Sequence, residues 1–328
     1  MPIRIDVAGA RALLRTREDV MDGGLAERQV QHLVESGVFR KIRRGRYVFE
    51  TDWAQLWPEG KHLVQVVAAR LNAVGGGHVF WGPSAAVLLG IPLYRLSPKA
   101  VHVGTVDRRH GRTRAGITWH YVDIPDSEIV EIDGIRCTSL DRTILDLARS
   151  TTAEAALAAA DAALRAEAVR DGQVQDGDAA GEWRERMSFR ARREHGRGIV
   201  RARWTIEFAD GRAQLPGESV SRYRLYQLGF SNYDIQVPVV GATGNLYWLD
   251  FAFVGMRCFG EFDGLDKYTD AALRGERTAQ EVVLDEKRRE DDIRGVTGWR
   301  LGRWGLPDIA TPDAFSAKLS AFGIRPPG

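Results

Sequence analysis

Four acidic residues in the last third of the chain have the types and spacing that could hold a metal ion. Asp250 ends or interrupts one apolar run, Glu261 follows it after ten intervening residues, and Asp263 comes two positions later. Glu218 belongs to a helix predicted upstream. Carboxylates among phenylalanines are costly to bury alone, so a cation should meet them. Oxygen ligands from two strand ends and a helix suit Mg²⁺ or Mn²⁺, which lowers the pKa of a bound water and neutralises charge on a phosphodiester.

Histidine and cysteine do not supply this chemistry. All seven histidines precede residue 196, and the two cysteines, Cys137 and Cys258, are far apart without the spacing of metal ligands. We expect both thiols to be buried as small apolar side chains. Lys267 or Lys287 is predicted to add positive charge beside the carboxylates.

The elements that must position the carboxylates follow from hydrophobic periodicity. The order is helix, three strands, helix, strand, which predicts an α/β core with helices packed on a sheet. The predicted ranges are 217–228, 235–240, 247–254, 256–262 and 281–294, with a last strand starting at residue 298.

A family resemblance is carried by GEFDGLDKY, followed by EKRREDDIRGVTGWRLGRW. These segments resemble the restriction-endonuclease-like nucleases, in particular the branch of very-short-patch-repair endonucleases, over roughly the last 115 residues. The resemblance implies a Mg²⁺-dependent endodeoxyribonuclease with Glu218, Asp250 and Glu261 as metal ligands. The family's Glu-x-Lys is Glu-x-Asp here, because Asp263 replaces the lysine. Either Lys267 or Lys287 substitutes for that lysine, or the site is inactive.

The N-terminal region is predicted to bind double-stranded DNA. Its third helix, over residues 25–36, is amphipathic and ends at Gly37, and a hairpin with strands at 38–42 and 47–49 follows. Helices followed by a basic hairpin are typical of a winged helix-turn-helix, in which the helix reads base edges and the turn contacts phosphates. The candidate DNA-binding residues are Arg28, Gln31, His32, Arg43, Arg44 and Arg46.

The first 170 residues also resemble a second family. The segments GVFRKIRRGRYVF, GPSAAVLLGIPL and TSLDRTILDLA are similar to AbiEi-type antitoxins of abortive-infection phage-defence systems. That resemblance implies a winged helix that binds operator DNA and represses its own operon. It also implies a partner, a toxin encoded by a neighbouring gene.

Together these patterns predict an α/β multidomain protein in four parts. They are a winged helix-turn-helix over residues 1–60, a mixed α/β module over 61–170, a linker and helical connector over 171–210, and a restriction-endonuclease-like α/β domain over 211–328. Thr138 and Asp141 have the spacing of a capping box ahead of a helix at 140–149. Residues 171–180, with two Asp-Gly pairs, predict a loop.

Composition excludes several classes of protein. With 44% hydrophobic and 27% charged residues, the chain is neither collagen-like, nor a coiled coil, nor wholly disordered. Its longest uncharged stretch, 71–94, contains three consecutive glycines and two prolines, which a membrane span would not choose. The N-terminus lacks the pattern of a secretory signal, so we expect a cytoplasmic protein without a membrane partner.

Simpler interpretations stay open beside these. Asp263-Gly264 could be only a hairpin turn, 281–294 only a helix with surface ion pairs, and the basic hairpin only a solvated turn. The leading hypothesis is a DNA-binding protein that delivers a Mg²⁺-dependent nuclease domain to DNA. The alternative is an antitoxin-like transcriptional repressor whose nuclease fold is inactive and serves as a binding scaffold.

Overall fold

The computed structural model describes residues 4–21, 27–73, 78–105, 116–170, 173–264 and 279–327. The chain forms two compact units. Unit 1 comprises residues Met1–Ala155 with Gly196–Ala202, and unit 2 comprises Ala156–His195 with Arg203–Gly328. The protein is therefore a mixed α/β protein, as the sequence predicts at this level of detail. The four-part division of the chain stays a prediction.

Unit 1 begins with helices and a small sheet. Its first elements are α1 (Val7–Leu13), β1 (Arg15–Thr16), α2 (Arg17–Met21), α3 (Glu27–Glu35), β2 (Phe39–Arg43), β3 (Arg46–Phe49), α4 (Glu50–Ala54) and α5 (Pro58–Leu71). The three strands pair in the order β1-β3-β2, and both pairings are antiparallel. Helix α3 packs its apolar face on this sheet through a core of Val20, Val30, Phe39 and Tyr47.

The predicted helix and hairpin near residues 25–49 are confirmed over the described residues. Helix α3 ends where Gly37 adopts a φ of +76°, a conformation that favours glycine. The Val38 backbone N–H then donates to the Leu33 carbonyl at 2.9 Å, which closes the end of the helix.

The rest of unit 1 is built on a second sheet. Its elements are β4 (Val79–Phe80), α6 (Pro83–Leu88), β5 (Val101–Thr105), β6 (Ile117–Tyr121), β7 (Ile129–Ile132), β8 (Ile135–Thr138), α7 (Leu140–Ser150) and the first residues of α8 (Ala153–Ala168) and of α10 (Ile199–Phe208). The strand order is β6-β5-β4-β8-β7.

The predicted cap of α7 is wrong by one residue. Ser139, not Thr138, is the N-cap, and its hydroxyl accepts from the Arg142 backbone N–H at 3.4 Å. Thr138 is buried, and its Oγ1 shares a hydrogen bond with the Thr143 hydroxyl at 2.8 Å. Both residues suit an N-cap, so the sequence pattern did not distinguish them.

Unit 2 contains the strands that carry the acidic residues. Its elements are the rest of α8, α9 (Gly177–Arg193), the rest of α10 (Ile199–Phe208), α11 (Pro216–Gln227), β9 (Asp234–Val240), β10 (Leu246–Phe253), β11 (Cys258–Phe262), α12 (Ala279–Thr297), β12 (Arg300–Trp304) and α13 (Pro312–Ala321). The predicted loop at 171–180 is too long, because Asp176 caps α9 and helix starts at Gly177. Helix α13 was not predicted.

The sheet of unit 2 has the order β9-β10-β11-β12. Strand β10 pairs antiparallel with both β9 and β11, whereas β12 runs parallel to β11, so the chain crosses over through the segment that contains α12. One face of the sheet packs Leu249, Ala252 and Phe259 against Ile293 of α12. On α11, Ser221 accepts a hydrogen bond from the buried Trp304 indole at 2.9 Å.

Glycine at position 217 is needed for α11 to approach the sheet. A Cβ on Gly217 would lie 2.0 Å from Cζ of Phe262 on β11. Because real carbon atoms do not approach so closely, a larger residue would push the helix away. This contact places Glu218, the next residue, beside the sheet.

A buried ion pair fixes α11 to α8 within unit 2. Arg222 Nη1 lies 2.7 Å from Asp161 Oδ2, and the two side chains are 7% and 1% exposed. Arg222 also donates to the Phe208 carbonyl at 2.7 Å, and Asp161 accepts from the Asp210 backbone N–H at 2.9 Å. Both charged groups thus have hydrogen-bonding partners besides each other, as buried charges need in order to be tolerated.

Both cysteines are buried thiols, as predicted. Within the described ranges, the helices are all too short or too polar to cross a membrane.

Replacing Asp161 by alanine should destabilise unit 2 strongly. The change leaves Arg222 as a buried charge without its carboxylate, which typically costs about 3–5 kcal/mol. Glu167→Ala on the same helix is the matched control, since Glu167 pairs with Arg186 at 2.7 Å near the surface and should cost about 1 kcal/mol at most. Thermal and urea unfolding of the two variants would measure the difference. Equal losses would contradict the role given to the buried pair.

Candidate acidic site

Glu218 lies in the first turn of α11 and is 4% exposed. Its Oε2 accepts from the Gln214 backbone N–H at 2.9 Å and from the Gln236 side-chain amide at 3.1 Å. Pro216 starts the helix, where its missing N–H costs no hydrogen bond. The local sequence therefore turns Glu218 inward and gives its carboxyl two donors.

Asp250 lies within β10, rather than at its end, beside the β11 strand. The strand pairing ends with Phe251 opposite Gly260, and the Asp250 side chain then takes over the bonding to the neighbouring strand. Its Oδ2 accepts from the Phe262 backbone N–H at 2.8 Å. The carboxyl is thus held at the edge of the paired region, next to Glu261.

Gln236, which is not among the predicted site residues, joins these two carboxyl groups. Its Nε2 donates to Glu218 Oε2 at 3.1 Å and to Asp250 Oδ1 at 3.3 Å. Its Oε1 accepts from the Gln214 side chain at 2.7 Å, which fixes the orientation of the amide. A buried polar residue in the apolar run Ile235-Gln236-Val237 was the signal that could have found it.

The backbone of Gln236 is in the left-handed region, with a φ of +50°. It lies between the paired positions Ile235–Phe251 and Val237–Leu249, so it faces Asp250 across the strands. Left-handed backbone at a residue other than glycine costs about 1–3 kcal/mol and persists where the surroundings enforce it. The hydrogen bonds of the side chain provide that enforcement.

Burial and the nearby carboxyl group of Asp250 favour the protonated, neutral form of Glu218. Burial, with repulsion from Asp250, raises the pKa of Glu218 to about 8, and the hydrogen bonds from Gln214 and Gln236 oppose the rise in part. Two neighbouring carboxyl groups with little solvent cannot both ionise easily. At neutral pH Glu218 therefore holds a proton that a cation at the site would displace.

Glu261 is in a different environment, because two arginines neutralise it. Arg289 Nη1 lies 2.5 Å from its Oε1, and Arg303 Nε lies 3.3 Å from its Oε2. Arg289 also donates to the Trp248 carbonyl at 3.0 Å, and Arg303 reaches Glu290 at 3.7 Å. Neither arginine was predicted as a site residue, because the packing of α12 and the pairing of β12 decide which of their cations reach Glu261.

The remaining candidates lie around this cluster. Asp263 is half-buried, and its backbone N–H donates to the Trp304 carbonyl at 2.8 Å. Lys287 is exposed on α12, and the cation that reaches Glu261 from that helix is Arg289, two positions later. Lys267 lies outside the described residues.

Two of the three predicted metal ligands share one hydrogen-bonding partner, and the third has other partners. Glu218 and Asp250 both bond to Gln236, whereas both oxygens of Glu261 contact arginines. Among the described residues, no group of three or more acidic, histidine or cysteine side chains has the geometry of a metal site. The chemistry of Glu218 and Asp250 suits a hard cation, because it would relieve their mutual repulsion.

The predicted DNA-binding residues in unit 1 fall into two groups. Arg28, Gln31 and His32 are exposed on α3, and Arg44 is exposed in the turn between β2 and β3. The other two arginines have partners within unit 1. Arg43 Nη2 donates to the Gly116 carbonyl at 3.0 Å, and Arg46 Nε donates to Asn72 at 3.1 Å.

Replacing Glu218 by glutamine should change how stability depends on pH. The unfolded carboxyl titrates near its usual value of 4.5, and the folded one near 8. Below pH 4.5 both states hold the proton, so wild type and Glu218→Gln should be similarly stable. As pH rises to 8, only the unfolded chain loses the proton, and wild type should lose on the order of a few kcal/mol relative to the variant.

Unfolding curves between pH 4 and 9 would measure this difference. Glu182→Gln, at an exposed position of α9, is the control and should keep the wild-type pH dependence. A constant difference between wild type and Glu218→Gln across the range would show that the carboxyl is not buried as described.

No protein-family model matches the chain. Two curated relatives are uncharacterized proteins of Mycobacterium tuberculosis, one from strain CDC 1551 / Oshkosh and one from strain ATCC 25618 / H37Rv. Each is 30% identical to the chain over 176 residues, which is 50% of this chain and 60% of the relative. The chain therefore spans less than two thirds of the length of the curated relatives it matches, and its activity and partners are proposed from the site.

Proposed function

We propose that this chain is a DNA-binding protein whose unit 2 contains a metal-dependent, nuclease-like centre. The observation that carries the proposal is the buried Glu218–Gln236–Asp250 cluster. Two carboxyl groups share one amide donor there, and the pKa of Glu218 is raised to about 8. A strained glutamine between two acids is costly, and such costs are typical of functional sites.

The order of elements around the cluster supports this proposal. Helix α11, strands β9, β10 and β11, helix α12 and strand β12 follow in the order expected for a restriction-endonuclease-like core. Glu218, Asp250 and Glu261 lie on the helix and strands where that resemblance expects acidic residues. The proposed substrate is a phosphodiester of double-stranded DNA.

In this proposal Glu218 and Asp250 hold Mg²⁺ or Mn²⁺. The bound ion would supply Lewis-acid chemistry, activating water and neutralising charge on the phosphate. Gln236 orients both carboxyl groups, and Glu218 would give up its proton in order to hold the ion. Arg289 takes the place proposed for Lys267 or Lys287, since its guanidinium already lies beside Glu261 and can pair with a phosphate.

DNA binding is proposed for unit 1. Exposed Arg28, Gln31 and His32 on α3, next to a three-stranded sheet with a basic turn, are typical of a winged helix. Arg44 is exposed in the turn and can approach phosphates. Arg43 and Arg46 instead donate hydrogen bonds to Gly116 and Asn72, which hold the hairpin in place. A cytoplasmic location belongs to this proposal.

A second candidate function is favoured by the state of Glu261. Its two oxygens are occupied by Arg289 and Arg303, and Asp263 stands where the nuclease family has lysine. These features fit an antitoxin-like repressor in which the nuclease fold is a binding scaffold. Such a protein would repress its own operon and bind a toxin encoded by a neighbouring gene.

Metal binding can be tested by titrating Mn²⁺ into the full-length protein. Because Glu218 must lose a proton to bind the ion, affinity should rise between pH 6 and pH 8 and about one proton should be released per ion at pH 7. Asp250→Asn should abolish binding, and Asp291→Asn, at an exposed ion pair on α12, should leave it unchanged. Binding that persists in Asp250→Asn would exclude this site.

Cleavage separates the two candidate functions once metal binding is known. The substrate should be DNA enriched by the protein itself, because many nucleases require a specific site. The nuclease proposal expects Mn²⁺-dependent cleavage that Asp250→Asn abolishes and Arg289→Ala slows about tenfold to a hundredfold, with DNA affinity retained. Intact DNA with bound metal, together with operon repression that Asp250→Asn preserves, would support the repressor instead.

The DNA interface can be tested with full-length variants. Arg44→Ala should weaken binding to all sequences and reduce the salt slope by about one, because it removes one phosphate contact. Gln31→Ala should change sequence preference, since its side chain is proposed to approach base edges. Fluorescence anisotropy at several salt concentrations measures both effects, with Arg325→Ala in unit 2 as the control. The interface would be refuted if Arg44→Ala and Gln31→Ala bound DNA with the affinity, salt dependence and sequence preference of the wild-type protein.

A further inference from the structure

Unit 1 contains a cleft of about 720 Å³ that the proposed DNA interface does not use. Trp81 and Val122 form part of its wall, the C-terminal half of α7 forms another, and the residues around Gly198 close it. This volume is within the range of about 300–1,000 Å³ that small-molecule sites have.

The cleft has an excess of positive charge. Arg142, Arg149, Arg197 and Arg201 line it, and Asp146 is the carboxylate among the described lining residues. Arg142 pairs with Asp146, at 2.9 Å between Nε and Oδ2, and with Glu128 outside the lining, at 2.5 Å between Nη1 and Oε2. Four guanidinium groups against these two carboxylates still leave the cleft with an excess of positive charge, which favours an anionic ligand.

The backbone at Gly198 packs against the backbone of Arg149, which brings Arg197 close to the end of α7. Gly198 has a φ of +79°, and a Cβ there would lie 2.0 Å from the Arg149 carbonyl oxygen. Arg201 donates to the carbonyls of Ala148 and Arg149 at 3.0 and 2.8 Å, so it ties this segment to the end of α7. Arg197 is exposed, and the described part of the chain provides it with no hydrogen bond or ion pair.

Trp81 supplies an independent sign of a ligand. It is 7% exposed, and its indole N–H has no hydrogen-bond partner among the described residues. Its ring stacks on His120 at 4.1 Å, and His120 in turn stacks on His102. Burial lowers the pKa of both histidines, to about 4 for His102, so the rings that stack with Trp81 are uncharged at neutral pH.

We propose that this cleft binds a free, nucleotide-sized organic phosphate. A phosphate has several oxygens that can accept from guanidinium groups on two elements, Arg149 on α7 and Arg197 before α10. A planar body attached to the phosphate would lie against Trp81 and Val122, and a polar atom on it would satisfy the indole N–H. The proposal is independent of metal binding and DNA cleavage in unit 2.

The test is calorimetry with AMP as the probe, with adenosine and inorganic phosphate as partial ligands. AMP should bind more tightly than either part. Arg197→Ala should weaken AMP binding about tenfold or more, and Trp81→Phe, which keeps a ring but removes the N–H, should weaken it severalfold. Arg192→Ala, an exposed arginine five positions earlier that does not line the cleft, should bind as wild type. Thermal unfolding checks that each variant is folded.

Two results would overturn the proposal. One is the absence of AMP binding at millimolar concentration in folded wild-type protein, or binding that Arg197→Ala leaves unchanged. The other is binding confined to a 5′-phosphorylated oligonucleotide and lost in Arg197→Ala, which would assign these arginines to nucleic acid rather than to a free ligand.

Discussion

The buried pair of Asp161 and Arg222 is the interaction on which the acidic site depends. Arg222 lies four positions after Glu218 on α11, about one helical turn away, so the contact that fixes the arginine also fixes the carboxyl. The same guanidinium binds the Phe208 carbonyl, and Asp161 binds the Asp210 backbone. Gly217 then lets the helix approach Phe262. A charge pair on one side of α11 and a missing side chain on the other therefore determine where Glu218 can lie.

Within the site, the partners of each carboxyl group decide its chemistry. Glu218 and Glu261 are both less than a tenth exposed. Burial and the negative charge of Asp250 raise the pKa of Glu218 and favour its protonated form, although the amide donors of Gln214 and Gln236 oppose the rise. Glu261 meets two guanidinium groups instead. One site thus contains an acid that can release a proton and an acid held by cations, and neither state is visible in the spacing of the acidic residues.

The sequence predicted the carboxylates better than their partners, for a physical reason. Hydrophobic periodicity locates strands and helices, so the elements that carry Glu218, Asp250 and Glu261 could be placed. Gln236 was missed because its role depends on a left-handed backbone opposite Asp250, which periodicity does not encode. Arg289 was missed in favour of Lys287, two positions earlier, because the cations of a charged helix look alike in the sequence until the helix packs on the sheet. The prediction of the α7 N-cap was wrong for a similar reason, because Thr138 and Ser139 are neighbouring hydroxyl residues that both suit a cap.

Clusters of arginine in this sequence overstate the positive surface that they provide. The chain has 46 basic and 44 acidic residues, so partners are available for most cations. In the basic hairpin Arg40 pairs with Glu50 at 2.7 Å, and Arg43 and Arg46 bind groups elsewhere in unit 1. An arginine used in this way stabilises the fold but contributes less to binding, because its exchange to a phosphate would break an existing bond. The proposed recognition of anions therefore depends on exposed arginines such as Arg44 and Arg197, rather than on Arg43 and Arg46.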